Sequence, residues 1–231
     1  MTDKLTNWYE VLAKDKTVKL QTFTPDKNFN KHYILPASMI LCVGGTGSGK
    51  STALLEFIKR KSGVFTQIII FSGSGTDEPL YNYLVAKNKN VELYNNIAEL
   101  PELIEFDRDS EKLIVFDDFI NLPAKDFKKI NEYLTAGRKY GFTVWLMSQN
   151  YVSVPKTIIR NLNYLIIFKL NDNISINTII KNHSLDGIAP DKFKEYYSMA
   201  TRERGNFLMI DMKTVDRKLK LRRNFLDLYI I

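Results

Sequence analysis

Several things are scarce in this chain, and each scarcity excludes something. There is one cysteine, Cys42, in 231 residues, so no internal disulfide can form. A lone thiol inside an apolar stretch reads as a small core residue, and the shortage of cysteine suits a reducing compartment. No apolar run approaches the roughly 18 residues that a membrane-spanning helix needs. The longest runs, such as Leu113–Phe116 and Tyr164–Phe168, are strand-like. The N-terminus, MTDKLTNWYE, carries no apolar segment behind a basic start, so export is not expected. The triplet Asn182-His183-Ser184 therefore has no meaning as a glycosylation site. Internal repeats and low-complexity linkers are missing too.

What remains is the composition of a globular chain, with 45% hydrophobic residues, enough for a full core. Lysine and arginine outnumber aspartate and glutamate 33 to 26, giving a net charge of +7 and a pI near 9.2. A basic surplus favours a polyanionic partner through phosphate contacts and counterion release. It is densest in the last third, at Arg202, Arg204, Lys213, Arg217, Lys218, Lys220, Arg222 and Arg223, which points toward nucleic acid.

Residues 1–36 are polar and aperiodic and read as an N-terminal arm with at most one short helix or edge strand. Regular structure starts at Met39. Apolar runs at 39–43, 67–71, 113–116, 143–147 and 164–168 predict strands. The spacing of Ala53, Leu54, Phe57 and Ile58, and of Phe127, Ile130, Tyr133 and Leu134, predicts helices over 51–61 and 124–140. Residues 80–86 also look helical, after the turn-rich SGSGTDEP. Several strands are apolar throughout, as expected when both faces of a parallel sheet are covered. The expected fold is α/β, with a core over 37–180 and a C-terminal extension over 181–231 packed on it. In that extension the segment 206–211 would pair with residues near 215–221 as a hairpin.

Gly44-Gly45-Thr46-Gly47-Ser48-Gly49-Lys50-Ser51 matches G-x-x-x-x-G-K-[ST]. Glycines let successive backbone N–H groups turn inward as an anion nest, and the helix that follows aims its positive end at the same phosphates. Lys50 would reach the β- and γ-phosphates, Ser51 would ligate Mg²⁺, and Thr52 with Gly44–Ser51 would bind the cofactor. The motif follows an apolar strand and opens a helix, as the mechanism requires. ATP and Mg²⁺ are the expected ligands.

Lys112–Phe116 is an apolar strand that runs into Asp117-Asp118. Ligands bind at the C-terminal ends of parallel strands, so Asp117 would hold the Mg²⁺ and Asp118 would orient or deprotonate an attacking water. One strand separates the loop strand from this one in sequence, and TVWLM follows it, ending in Ser148-Gln149. This order resembles the additional-strand, RecA-like class of P-loop ATPases, in which the next strand inserts between the other two. The resemblance implies that Gln149 senses the γ-phosphate. It also implies an arginine finger, often from a neighbouring subunit, and Arg138 and Arg160 are the candidates. Both are expected near the active edge of the sheet, with Arg202 and Arg204 weaker candidates that face DNA or solvent.

GGTGSGKST, LIVFDDF, GRKYGFTVWLMSQNY and VPKTIIRNLNYLIIFKL, in this order and spacing, resemble the genome-packaging ATPases of large DNA viruses and virophages, the poxvirus-type branch of the FtsK–HerA superfamily. The resemblance covers about residues 37–180. Lys139 stands where many relatives have histidine. The resemblance implies a homo-oligomeric ring with ATP sites between subunits, translocation of double-stranded DNA, capsid or portal components as partners, and a place in the viral factory of the host cytoplasm or in the virion. Two other functions fit the same motifs. One is a helicase-like or recombination ATPase on single strands, with Tyr140 and Tyr151 stacking bases. The other is a small-molecule kinase.

Overall fold

The strand-forming runs assemble into one nine-stranded sheet. A computed structural model describes residues 5–14, 24–73, 75, 77–183 and 187–229. Part of the N-terminal arm (15–23), Ser74 and Thr76 of the turn-rich segment, and Ser184 of the sequon-like triplet lie outside the described residues. The strands are β1 (Met39–Val43), β2 (Gln67–Ser72), β3 (Val91–Tyr94), β4 (Lys112–Asp117), β5 (Phe142–Ser148), β6 (Tyr164–Ile167), β7 (Leu208–Asp211), β8 (Leu221–Arg223) and β9 (Asp227–Leu228). Their order across the sheet is β3-β2-β4-β5-β1-β6-β7-β8-β9. The strands from β3 to β6 in that order are parallel, and β7, β8 and β9 add antiparallel. β5 thus lies between β1 and β4.

The helices are α1 (Trp8–Leu12), α2 (Lys50–Arg60), α3 (Pro79–Lys87), α4 (Ala124–Ala136), α5 (Lys156–Asn161), α6 (Asn173–Asn182), α7 (Pro190–Ala200) and α8 (Arg217–Lys220). Period-2 alternation divides each strand between two cores. Met39, Leu41 and Val43 join Ile130, Tyr133, Ile159, Ile179 and Phe193 from α4, α5, α6 and α7. Ile40 and Cys42 join Leu54 and Phe57 of α2 and Tyr81 and Leu84 of α3 on the other face. Cys42 is fully buried, and burial pushes its thiol up, away from reactivity. Among the described residues no helix is long and apolar enough to cross a membrane.

The predicted late hairpin forms with a different partner. β7 pairs with 221–223, because Arg217–Lys220 closes into the short helix α8, with Asp216 accepting from the Lys218 N–H at 2.9 Å. β3 had no counterpart in the sequence reading, because VELY is a short, half-buried edge strand with no apolar run. The N-terminal segment is tied down by charge. Lys61 is buried and its Nζ lies 3.1 Å from Asp26 and 2.8 Å from Glu111. His32 lies 3.4 Å from Asp26, and burial lowers its pKa to about 4.

The corner between α4 and β5 turns at Gly141, which holds φ at 75°. A Cβ there would lie 2.1 Å from the Ser110 carbonyl oxygen, and the Gly141 carbonyl accepts the first N–H of β4, from Lys112, at 3.0 Å. Gly141→Ala therefore meets a left-handed backbone and a clash with main chain together. The expected cost is about 3 kcal/mol, which a thermal melt would record as a fall in Tm of roughly 10 °C. A shift below about 2 °C would show that the corner relaxes freely.

Candidate active site

Parallel register brings three strand ends to one level. Val43 pairs with Ser148, and Asp117 with Met147. The segments leaving β1, β4 and β5 emerge side by side at the C-terminal edge, where open α/β sheets bind ligands. The Gly44 N–H donates to the Ser148 carbonyl at 3.1 Å, joining the loop to β5.

The glycine loop closes tightly on its neighbours. A Cβ on Gly44 would lie 2.6 Å from Ser48 Oγ and 2.7 Å from Phe168 Cβ, whereas Gly45 has room. Gly49, the N-cap of α2, takes φ 110°, which turns the backbone into the helix. Lys50 Nζ sits within the loop and donates to the carbonyls of Gly44 at 2.7 Å and Gly45 at 3.1 Å. Ser48 Oγ is buried and has no hydrogen-bond partner among the described residues. Thr52, expected to bind the cofactor, is instead exposed and lines a groove of about 590 Å³ between α2 and α3. That groove contains none of the loop glycines or strand-end acids, so the chemistry lies elsewhere.

A chain of side chains links the loop to the acidic pair. Thr46 Oγ1 donates to Gln149 Oε1 at 3.4 Å, and Gln149 Nε2 donates to Asp118 Oδ1 at 3.3 Å. Asp118 takes φ 52°, a left-handed conformation that aspartate tolerates better than most residues. It caps the turn Phe119–Asn121. Asp117 lies deeper. Burial, and then the neighbouring Asp118, push its carboxyl above the usual range, opposed by the Tyr81 hydrogen bond and the nearby Lys50 ammonium. Tyr81 Oη donates to Asp117 Oδ2 at 2.7 Å.

Ser51 and Asp117 offer hard oxygen donors, and Tyr81 hydrogen-bonds to the Asp117 carboxylate. Among the described residues no cluster of three or more His, Cys, Asp or Glu could cage a metal. A site with one hydroxyl, one carboxylate and room for phosphate oxygens and water is the kind Mg²⁺ takes. The residues present fit it.

The arginines lie differently from expectation. Arg138 belongs to the 3₁₀ turn Gly137–Tyr140 just before β5, and Arg160 to α5 just before β6. A residue preceding a parallel strand stands at its N-terminal end, so both lie on the edge of the sheet opposite to the loop. Arg138 lines a cavity there with Ser38, Met39 and Asn163. Both are exposed. Neither is placed at its own chain's loop, which corrects the expectation that they stand near the active edge.

Arg204, expected to face solvent or DNA, is exposed, and it also donates from Nε and Nη2 to the Gly47 carbonyl at 3.2 and 3.1 Å. With Lys169, Arg202 and Asn171 it lines a cavity of about 370 Å³ against Gly45–Ser48. Arg222, by contrast, leaves the basic surface. It is fully buried, with Nη1 3.4 Å from Asp211. Of the tyrosines proposed to stack bases, Tyr151 is buried with its hydroxyl 2.8 Å from His183 Nε2. Tyr140 is half-buried under the Arg108 guanidinium, 5.0 Å from its ring centroid. Tyr81 is the site residue that sequence reasoning missed, since it sits in no motif, and the bond of Arg204 to the loop of its own chain was not foreseen either.

The sequence profile of the poxvirus A32 protein family matches residues 26–215, most of the chain. The chain belongs to the poxvirus A32 protein family. No individual curated protein matches this A32-family chain. Among solved structures it is similar to B204, the DNA-packaging ATPase of Sulfolobus turreted icosahedral virus. That likeness has a TM-score of 0.59 and 15% identity over 82% of this chain and 97% of that one. The genome packaging NTPase B204 of Sulfolobus turreted icosahedral virus 2, in complex with ATP-gammaS, gives a TM-score of 0.55 and 17% identity over 81% and 96%. ATPases 2 and 3 of EssC from Geobacillus thermodenitrificans give 0.53 and 13% over 84% and 40%. At these identities the likeness concerns the fold alone, a mainly parallel α/β sheet shared with these ATPases.

Proposed function

We propose that this chain is an ATP-hydrolysing translocase that moves viral double-stranded DNA into a capsid. One observation carries the reading. The inserted strand β5 delivers Gln149 to a position where it hydrogen-bonds both the phosphate loop, through Thr46, and Asp118. A side chain that touches the loop and the acid can transmit the loss of a γ-phosphate to the rest of the sheet. Membership of the A32 family and likeness to packaging NTPases support the same conclusion.

In this reading the loop N–H groups and Lys50 hold the triphosphate. A phosphate oxygen is a stronger acceptor for the ammonium than the carbonyls of Gly44 and Gly45, because the bond is charge-assisted. Ser51 and Asp117 would hold Mg²⁺, which when bound supplies positive charge to the β- and γ-oxygens. Asp118 accepts a proton from, or orients, the attacking water, and Gln149 keeps Asp118 aimed. Arg204 fixes the loop from within the chain.

Arg138 and Arg160 lie on the far edge of the sheet, so either could complete a site only on a neighbouring copy. This favours a ring in which one subunit's trailing edge faces the next subunit's loop. Such a motor would work in the cytoplasm of the infected host cell, at the viral factory, with capsid or portal components as its dock, and it could remain in the virion.

Translocation must ignore base sequence, so its contacts go to phosphates. Duplex DNA of any sequence is expected to raise the rate of phosphate release. The stimulation should fall steeply with salt, the logarithm of the DNA binding constant dropping by about 0.9 per phosphate contact for each tenfold rise in salt. Single strands should stimulate less, since Tyr140 and Tyr151 are not free to stack bases. An oligomer that ignores every duplex, or that transfers phosphate to a nucleoside instead of water, would defeat the translocase reading.

A further inference from the structure

Tyr81 stands outside every motif yet touches Asp117, one of the two expected metal-side residues. It is fully buried on α3, and its hydroxyl donates to Asp117 Oδ2 at 2.7 Å. Tyr81 and Asp117 lie on different elements, Tyr81 in α3 and Asp117 at the tip of β4. One buried phenol therefore ties the acid that would flank the cation to the helix beside it.

The chemistry of the group matters. A buried carboxylate needs a donor, but a lysine or arginine in that place would compete with the cation for the same charge. A phenol orients the carboxylate and leaves its full negative charge available. Carboxylates that ligate metals are commonly held by outer hydrogen bonds of this kind, and losing such a partner weakens metal binding by ~10- to 100-fold.

We infer that Tyr81 is a positioning residue for the cation: it fixes the Asp117 carboxylate in the orientation that receives Mg²⁺, and it has no part in holding the nucleotide itself. This rests on the reading of the loop and the acidic strand as an ATP site. The inference predicts a split between metal and nucleotide affinity that a merely structural tyrosine would not give.

The test uses Mn²⁺ as the probe, read by electron paramagnetic resonance of free Mn²⁺ with the full chain and ADP. Tyr81→Phe is expected to weaken Mn²⁺ binding to the protein–ADP complex by ~10-fold or more, while ADP affinity measured in excess EDTA stays within about twofold of the parent. Tyr133→Phe is the control. It removes a buried phenol bonded to the Pro101 carbonyl on the other face of the sheet, and it should leave both constants unchanged. Mn²⁺ binding by Tyr81→Phe within about twofold of the parent would overturn the inference, and so would a matching loss of ADP affinity in EDTA.

If Tyr81→Phe does not fold, 3-fluorotyrosine placed at position 81 of the otherwise unchanged chain gives the answer by fluorine resonance. The signal should move when Mg²⁺ is added to the ADP complex, and a signal that ignores Mg²⁺ overturns the assignment. Lys50→Ala, run in parallel, separates the two levels. If it binds ADP like the parent, the ATP-site reading fails. If it loses ADP while Tyr81→Phe keeps Mn²⁺, only the role of Tyr81 fails.

Discussion

Lys50→Ala is expected to abolish ATP hydrolysis and leave the fold intact. The ammonium lies inside the glycine loop and its hydrogen bonds go to the carbonyls of Gly44 and Gly45, so removing it breaks no hydrogen bond of the sheet or of either core. Alanine is also a better helix former than lysine at the start of α2. What disappears is the charge that would meet the β- and γ-phosphates as charge builds on them. Loss of a single preorganised donor of this kind costs about 10²- to 10³-fold in turnover, and a full positive charge beside a triphosphate should sit at or above the top of that range. Phosphate release and a thermal melt, measured on the same preparation, decide the matter. The melt should stay cooperative and close to that of the parent. Turnover within tenfold of the parent would remove Lys50 from the chemistry and with it the loop as the phosphate site.

Asp118→Asn is expected to lower the rate of hydrolysis by about 10²- to 10⁴-fold, the usual worth of a positioned acid–base group, while nucleotide affinity stays near that of the parent. The substitution is chosen for its backbone. Asp118 holds φ 52°, and asparagine tolerates the left-handed region as readily as aspartate. The amide can still accept from Gln149 Nε2, which lies 3.3 Å from Oδ1, so the linkage to the loop survives. Only the negative charge and the ability to take up a proton are lost. Single-turnover hydrolysis, with affinity taken from a nucleotide titration, separates the two effects. Should Asp118→Asn hydrolyse ATP normally while Asp117→Asn is dead for reasons other than metal loss, the roles of the neighbouring carboxylates would have to be exchanged.

The parts of the site legible in the sequence are those whose chemistry is local. The loop reads directly because its glycines, lysine and serine are consecutive, and their conformations follow from the residues themselves. β1, β2, β4, β5 and β6 read directly because strands covered on both faces are continuous apolar runs. The insertion of β5 between β1 and β4 came from likeness to known ATPases, and the register in the sheet agrees with it. The arginines show where such reading stops. Arg138 and Arg160 lie close in sequence to site strands, but a parallel strand carries them to the opposite edge. Arg204 is 157 residues from Gly47 and yet bonds it.

What the sequence determined by itself was therefore the set of candidate site groups and the helix or strand that carries each, because period, capping and loop conformation are short-range properties. What only the tertiary structure decided was which distant side chains surround those groups. Tyr81 under Asp117, Arg204 on the loop, Arg222 buried against Asp211 rather than facing DNA, and β8 rather than the segment before it beside β7 all depend on strand order and register. Strand order and register come from packing across the whole sheet, and no single segment encodes them.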